Sequence, residues 1–150
     1  MTVTIRRVDA GTNDVEAYRA LRLKLWPMSD EENHRETAEQ LAAPEKWAVF
    51  LAREDSGPPL GFLEVRLREY AEGATSSPVG FLEGWFVVED ARRRGVGRTL
   101  VEAGEAWARS KGCTEMASNT EIWRAESIEA HLRLGYSEIE RDVNFLKKLG

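Results

Sequence analysis

Apolar positions recur along this chain at two spacings, and the spacing changes near residue 96. Val3 and Ile5 alternate with Thr2, Thr4 and Arg6, which predicts a short first strand. Val15, Tyr18, Leu21 and Leu25 then line one face of a helix, capped by Thr12 or Asn13 and stopped at Trp26-Pro27, since proline cannot continue it. Ser29-x-x-Glu32 has the form of a capping box and predicts a second helix to roughly Leu41, with Glu31, Glu32, Glu36 and Glu39 as a solvated face. Trp47 to Arg53 and Leu60 to Arg68 are strand-like runs on either side of Asp55-Ser56-Gly57-Pro58-Pro59, which predicts a hairpin. A polar loop from Tyr70 to Pro78 leads into Phe81, Leu82, Trp85, Phe86, Val87 and Val88, which read as a strand buried on both faces with a bulge at Gly84. Val96, Leu100, Ala103 and Trp107 return to helical spacing. Beyond that helix the pattern predicts a strand from Cys113 to Ser118, a short helix from Ala125 to Leu134, and a long final strand or strand pair from Ser137 to Lys148.

The junction between the Phe81 strand and the Val96 helix carries the most distinctive chemistry. Arg92-Arg93-Arg94-Gly95-Val96-Gly97-Arg98 places glycines and arginines where backbone N–H groups have no intrahelical partner and the helix dipole is positive, a setting suited to phosphate. Two glycines that merely turn the chain are the plain alternative, and the strand-to-helix context weighs against it. A P-loop needs a Gly-Lys-Ser/Thr ending, and a dinucleotide fingerprint needs a third glycine with an acidic residue further on; the sequence has neither.

Composition narrows the partners. The chain has 150 residues, a length that predicts one domain over residues 1–150. Its hydrophobic share of 42% and charged share of 31% include no apolar run long enough to cross a bilayer. A formal charge of −5 argues against general affinity for nucleic acid and is compatible with a cationic ligand, while Arg92, Arg93, Arg94 and Arg98 form the concentrated basic patch. A single cysteine, Cys113, and an N-terminal stretch without an apolar secretion core point to the cytoplasm.

Arg92-x-x-Gly95-x-Gly97 resembles the pyrophosphate-binding turn of the GNAT superfamily of N-acetyltransferases. The element order fits that fold, an α/β arrangement whose mixed, mostly antiparallel sheet splays into a V around acetyl-CoA and is flanked by about four helices. The resemblance implies that Arg93, Arg94, Gly95, Val96, Gly97 and Arg98 hold the diphosphate. It also implies that Trp85, Phe86 and Val87 offer main-chain groups to pantetheine at the splay. Leu25-Trp26-Pro27, Ser77 to Val87, Ala106-Trp107-Ala108-Arg109, Ala117-Ser118 and Ala130 to Tyr136 resemble, in order and spacing, the aminoglycoside 6'-N-acetyltransferases over nearly the whole chain.

That narrower resemblance implies that Trp26, Tyr70 and Glu83 line an aminoglycoside site and that Glu140 reaches the substrate near a subunit contact in a homodimer. Carboxylates backed by aromatic faces suit a ligand with several ammonium groups. Glu83 pairing with one of the nearby arginines, Trp26 as a core residue, and Glu140 as a plain exposed residue, are the alternatives. Two positions depart from the family pattern: Asn119 where aspartate is general, and Arg124 where an asparagine contacts the cofactor.

Acetyl transfer from a thioester needs a neutral amine, donors for the developing oxyanion and a proton for the departing thiolate. Glu83 is the candidate base, the N–H of Phe86 or Val87 the candidate oxyanion donor, and His131 the candidate acid. The implied reaction is direct transfer to an amino group of an aminoglycoside, with no metal and no covalent enzyme intermediate. Acetylation of another small amine, such as a polyamine, an amino sugar or a peptide terminus, and a non-catalytic CoA-binding module are the alternatives.

Overall fold

In the computed structural model, residues 2–55 and 57–150 are described; Met1 and Ser56 of the predicted hairpin turn lie outside them. The chain divides into two units, residues 1–118 and 119–150. The first contains β1 (Val3–Arg7), α1 (Asp14–Leu25), α2 (Asp30–Leu41), β2 (Trp47–Glu54), β3 (Pro59–Arg68), β4 (Val79–Val87), a short 3-10 turn (Glu89–Ala91), α3 (Val96–Ser110) and β5 (Met116–Ser118). The sheet order is β1-β2-β3-β4-β5. Its first four strands are antiparallel neighbours joined by hairpins or by α1 and α2, whereas β4 and β5 run parallel, as a helical crossover through α3 requires.

Strand periodicity assigns the two faces. On β3, Leu63 and Val65 point at α3, whose Gly104 lies so close that an added Cβ would stand 2.6 Å and 2.8 Å from them. Phe62 points the other way, its ring edge-on to Tyr18 of α1 with centroids 5.5 Å apart. The buried stripe of α3 comprises Val96, Leu100, Val101, Gly104, Trp107 and Ala108, so the expected inward Ala103 is replaced at the centre of the stripe by Gly104.

The face toward α1 and α2 has a polar interior. Asn33, Thr37 and Gln40 recur at helical spacing on the buried side of α2, so it is polar residues that dock this helix. The Tyr18 hydroxyl lies 2.5 Å from both Gln40 Oε1 and Glu64 Oε2, and Arg22 Nε lies 3.1 Å from Glu64 Oε2. Burial raises the Glu64 carboxyl above its ordinary range, against the attraction of Arg22, and burial likewise pushes the Tyr18 hydroxyl well up. Removing one partner of such a pair leaves a buried charge uncompensated, so Glu64→Ala is expected to lower stability by about 3–5 kcal/mol. A denaturant midpoint within error of the parent's would contradict that assignment.

Some expectations about elements hold and others change. Ser29 caps α2, accepting from the Glu32 N–H at 3.1 Å. The N-cap of α1 is Asn13 without a side-chain hydrogen bond, while the Thr12 hydroxyl donates back to the Asp9 carbonyl. The strand expected from Cys113 is confined to Met116–Ser118, and Cys113 is buried in the preceding turn, where burial raises its thiol pKa.

The second unit contains α4 (Ala125–Arg133), which has no buried residue. The final strand predicted from Ser137 to Lys148 is absent among the described residues: the segment forms no helix or strand. An extended segment becomes a strand only against another edge. Its apolar residues, Ile139, Val143, Phe145, Leu146 and Leu149, are 61–91% exposed.

Candidate active site

The predicted bulge is present and shapes one wall of the site. Glu64 pairs with Gly84 and Val65 with Leu82, which leaves Glu83 as the extra residue of β4. Gly84 is needed for close approach, because a Cβ there would stand 2.5 Å from the edge of the Trp26 ring. Trp26 follows the last turn of α1 in extended conformation, its N–H bonded to the Arg22 carbonyl at 2.8 Å. Its ring sits 6.1 Å from Phe62, with the Arg22 guanidinium 5.0 Å from its centroid. Trp26 is half-buried, packed on the core at Phe62 and lying against Gly84 of the bulge.

Glu83 is engaged by two arginines that the sequence reading did not single out. Arg68 reaches both carboxylate oxygens at 2.8 Å, and Arg66 Nε stands 2.9 Å from Oε2. Arg66 lies over the Trp47 ring at 5.2 Å and Arg68 over Phe81 at 3.6 Å. The signal was available: Phe62, Glu64, Arg66 and Arg68 share one strand face at period two.

Beyond the bulge the sheet opens. β5 accompanies β4 only from Gly80 to Leu82. Among the described residues, Trp85, Phe86 and Val87 pair with β3 alone. They are half-buried, so the strand expected to be covered on both faces is covered only in its first half. This is the splay that the fold expectation required.

The turn that follows has a strained, specific backbone. Arg93 and Gly95 both adopt the left-handed region, with φ of 64° and 81°. A Cβ at Gly95 would meet nothing within 4 Å, so glycine is required there for conformation and not for space. Gly97 differs, since its Cβ would stand 3.2 Å from the Trp85 ring. Arg92 Nε donates to the Val87 carbonyl at 2.9 Å and fastens the turn to the end of β4. Arg94 lies 3.8 Å from Glu54. Val96 begins the 15-residue α3, whose first free N–H groups and positive dipole end follow this turn directly. Such donors, reached past exposed arginines, fit a diphosphate.

Tyr70 is exposed and its hydroxyl donates to Glu72 at 2.8 Å. The loop it opens is tied down at its far end, where the Thr75 N–H donates to Glu115 at 2.9 Å.

The remaining predicted residues belong to the second unit. Asn119 is exposed, directly after β5. Arg124 pairs with Glu121 at 2.6 Å and stacks on Trp123 at 4.6 Å. His131 Nδ1 lies 2.7 Å from the Ser127 carbonyl, and its ring meets Tyr136 edge-on at 5.8 Å. A carbonyl only accepts, so Nδ1 carries the hydrogen; in the neutral ring Nε2 is then an acceptor and becomes an acid only in the imidazolium. Glu140 lies in the exposed C-terminal segment. Among the described residues no cluster of three or more His, Cys, Asp or Glu could hold a metal ion, and no helix is long and apolar enough to cross a membrane.

An open mixed sheet with a bulged fourth strand, running through a left-handed glycine turn into a helix, defines an acyl-CoA-type transferase scaffold, and comparison with known proteins agrees. The chain belongs to the acetyltransferase (GNAT) family, whose model matches residues 15–136. Within that family its relatives are aminoglycoside N(6')-acetyltransferases of type 1. It is 43% identical over 141 residues to the one from Klebsiella aerogenes, covering 92% of this chain and 93% of that protein. With the one from Stenotrophomonas maltophilia it shares 45% identity over 143 residues, covering 95% of this chain and 91% of that protein. Among solved structures it superposes with a TM-score of 0.92 on AAC(6')-Iy in complex with the bisubstrate analogue CoA-S-monomethyl-acetylneamine, at 36% identity over 99% of this chain and 100% of that one.

Proposed function

We propose that this protein is an aminoglycoside 6'-N-acetyltransferase that passes acetyl directly from acetyl-CoA to an amino group of the antibiotic. The observation that carries this reading is the kinship at 43–45% identity over nearly full length with proteins of that activity. The β4 bulge and the Arg93–Gly95 turn support it by supplying the two features the cosubstrate needs. In this reading the α3 turn, from Arg93 to Arg98, holds the diphosphate through backbone N–H groups, with Arg124 as a further cofactor contact. The substrate nitrogen attacks the thioester carbonyl, whose oxygen develops charge opposite the N–H of Phe86 or Val87. Glu83 takes the proton from the amine, directly or through water. The C–S bond breaks, and His131 as imidazolium returns a proton to the thiolate. Trp26, Tyr70, Asn119 and Glu140 line the amine site.

The same reading takes residues 1–150 as one domain, which the family match supports by spanning both units. It places the protein in the cytoplasm, in keeping with its single, buried cysteine, and makes it a homodimer. Dimerisation is supported by the exposed apolar residues of the C-terminal segment, which a second copy would cover. Light scattering that returns a monomer at micromolar concentration removes that part. The reading as a whole is tested by CoA release from acetyl-CoA across a panel of aminoglycosides, polyamines, amino sugars and peptides. Fastest turnover of the aminoglycosides supports it; release only with another class overturns it.

Asn119 offers a second test. A carboxylate at this position adds a charge-assisted contact to a bound polycation, on the order of 1–2 kcal/mol beyond a neutral hydrogen bond. Asn119→Asp should therefore raise kcat/KM for aminoglycosides roughly tenfold. A loss of activity instead would mark Asn119 as part of a changed specificity.

A further inference from the structure

We propose that Glu115 is a positioning residue for the amine site, acting by tying down the 70–78 loop that carries Tyr70; this rests on the amine-acetylating role proposed above. Glu115 stands just ahead of β5, and its Oε1 accepts two hydrogen bonds from the far half of the loop, one from the Thr75 N–H at 2.9 Å and one from the Ser76 hydroxyl. The Ser76 hydroxyl, and after it the Thr75 N–H, hold the Glu115 carboxyl below its ordinary range, so at neutral pH it is an anion, the stronger kind of acceptor. Its main chain is fixed as well, because the Gly80 N–H donates to the Glu115 carbonyl at 3.2 Å. The loop is thus fastened to the place where β4 and β5 meet.

The near end of the loop is seated by packing. Ala71 is buried in a cluster with Val79 and Phe81, and Ala74 and Ala117 pack against it. The Phe81 ring also carries the Arg68 guanidinium at 3.6 Å, and Arg68 bonds both oxygens of Glu83 at 2.8 Å. A connected set of contacts therefore runs from Glu115 through the loop and Phe81 to the candidate base. Tyr70 lies between Arg68 and Ala71 in the chain and is 64% exposed, with its hydroxyl on Glu72. Burial does not hold such a ring, so its place depends on the loop. Two alanines bury little apolar area, which leaves the bonds to Glu115 a large share of the holding. Without them the substrate must order the loop itself, and its apparent affinity falls with the fraction of molecules already in the competent position.

The test measures kcat and KM for an aminoglycoside and for acetyl-CoA in the parent and in Glu115→Ala, Glu115→Gln and Ser76→Ala. Glu115→Ala should raise the aminoglycoside KM roughly tenfold, with kcat and the acetyl-CoA KM within about twofold of the parent. Glutamine keeps an acceptor oxygen in place, so Glu115→Gln should stay within about threefold, and Ser76→Ala, which removes one of the two bonds, should fall between parent and Glu115→Ala. Amide hydrogen exchange across residues 70–78, without substrate, should quicken in Glu115→Ala. In a Tyr70→Ala background Glu115→Ala should add little to the aminoglycoside KM, since the tie acts through that ring. An unmoved aminoglycoside KM, an equal rise in the acetyl-CoA KM, unchanged exchange in the loop, a Glu115→Gln variant no better than Glu115→Ala, or full additivity with Tyr70→Ala would overturn the proposal. If the parent turns over no aminoglycoside, the functional reading fails and this assignment with it; if the parent turns it over and Glu115→Ala leaves the KM unmoved, only the Glu115 assignment falls.

Discussion

Calorimetric titration with acetyl-CoA is expected to show affinity about thirtyfold weaker in a Gly95→Val variant than in the parent. Gly95 holds φ of 81° with open space around its α-carbon, so the damage comes from backbone strain and not from a clash. A β-branched residue in that region costs of order 1–3 kcal/mol, and a turn that relaxes to avoid the cost no longer aims its N–H groups at one point. Arg93→Ala should weaken binding less, by roughly fivefold, because an exposed arginine contributes a screened contact while the backbone donors remain. Undiminished affinity in the Gly95 variant would remove the diphosphate from this turn.

The second large effect is expected at Glu83. A Glu83→Gln variant should keep its fold and its acetyl-CoA affinity and lose amine turnover by about a hundredfold or more, the range that a general base typically contributes. The loss should be greatest below the pKa of the substrate amine, where the nitrogen arrives protonated and must shed its proton in the site. The variant leaves Arg66 and Arg68 without their anion, yet both are partly exposed and can turn to solvent, so the stability cost should be small. A kcat/KM that matches the parent's at every pH would exclude the role.

The parts of this protein that were legible in its sequence are those where local pattern and tertiary role coincide. The hairpin of β2 and β3, the bulge at Gly84, the Ser29 cap and the strand-turn-helix at Arg92 each announce themselves within a few residues. The polar interior did not, because Asn33, Thr37, Gln40 and Glu64 read as surface residues until tertiary structure brings Tyr18 and Arg22 to them. The Glu83 ion pairs were half legible: pairing with an arginine was foreseeable, and period two puts Arg66 and Arg68 on one face of β3, but that this face meets Glu83 follows from the β3–β4 register. The final strand failed for a different reason. Residues 137–148 have the composition of a strand, and composition alone does not supply the paired neighbour that makes an extended segment one.

Delivery of acetyl to one amine of an aminoglycoside, by the open end of β4 and the α3 turn, is the step on which the proposed function depends. It is tested most directly by incubating the protein with acetyl-CoA and an aminoglycoside bearing a 6'-amine, and locating the acetyl group in the product by NMR. The expected result is a monoacetylated product substituted at the 6' nitrogen, formed together with one equivalent of CoA, and no product from the analogue with a 6'-hydroxyl. Acetylation at another nitrogen, or equal turnover of the hydroxyl analogue, would contradict it.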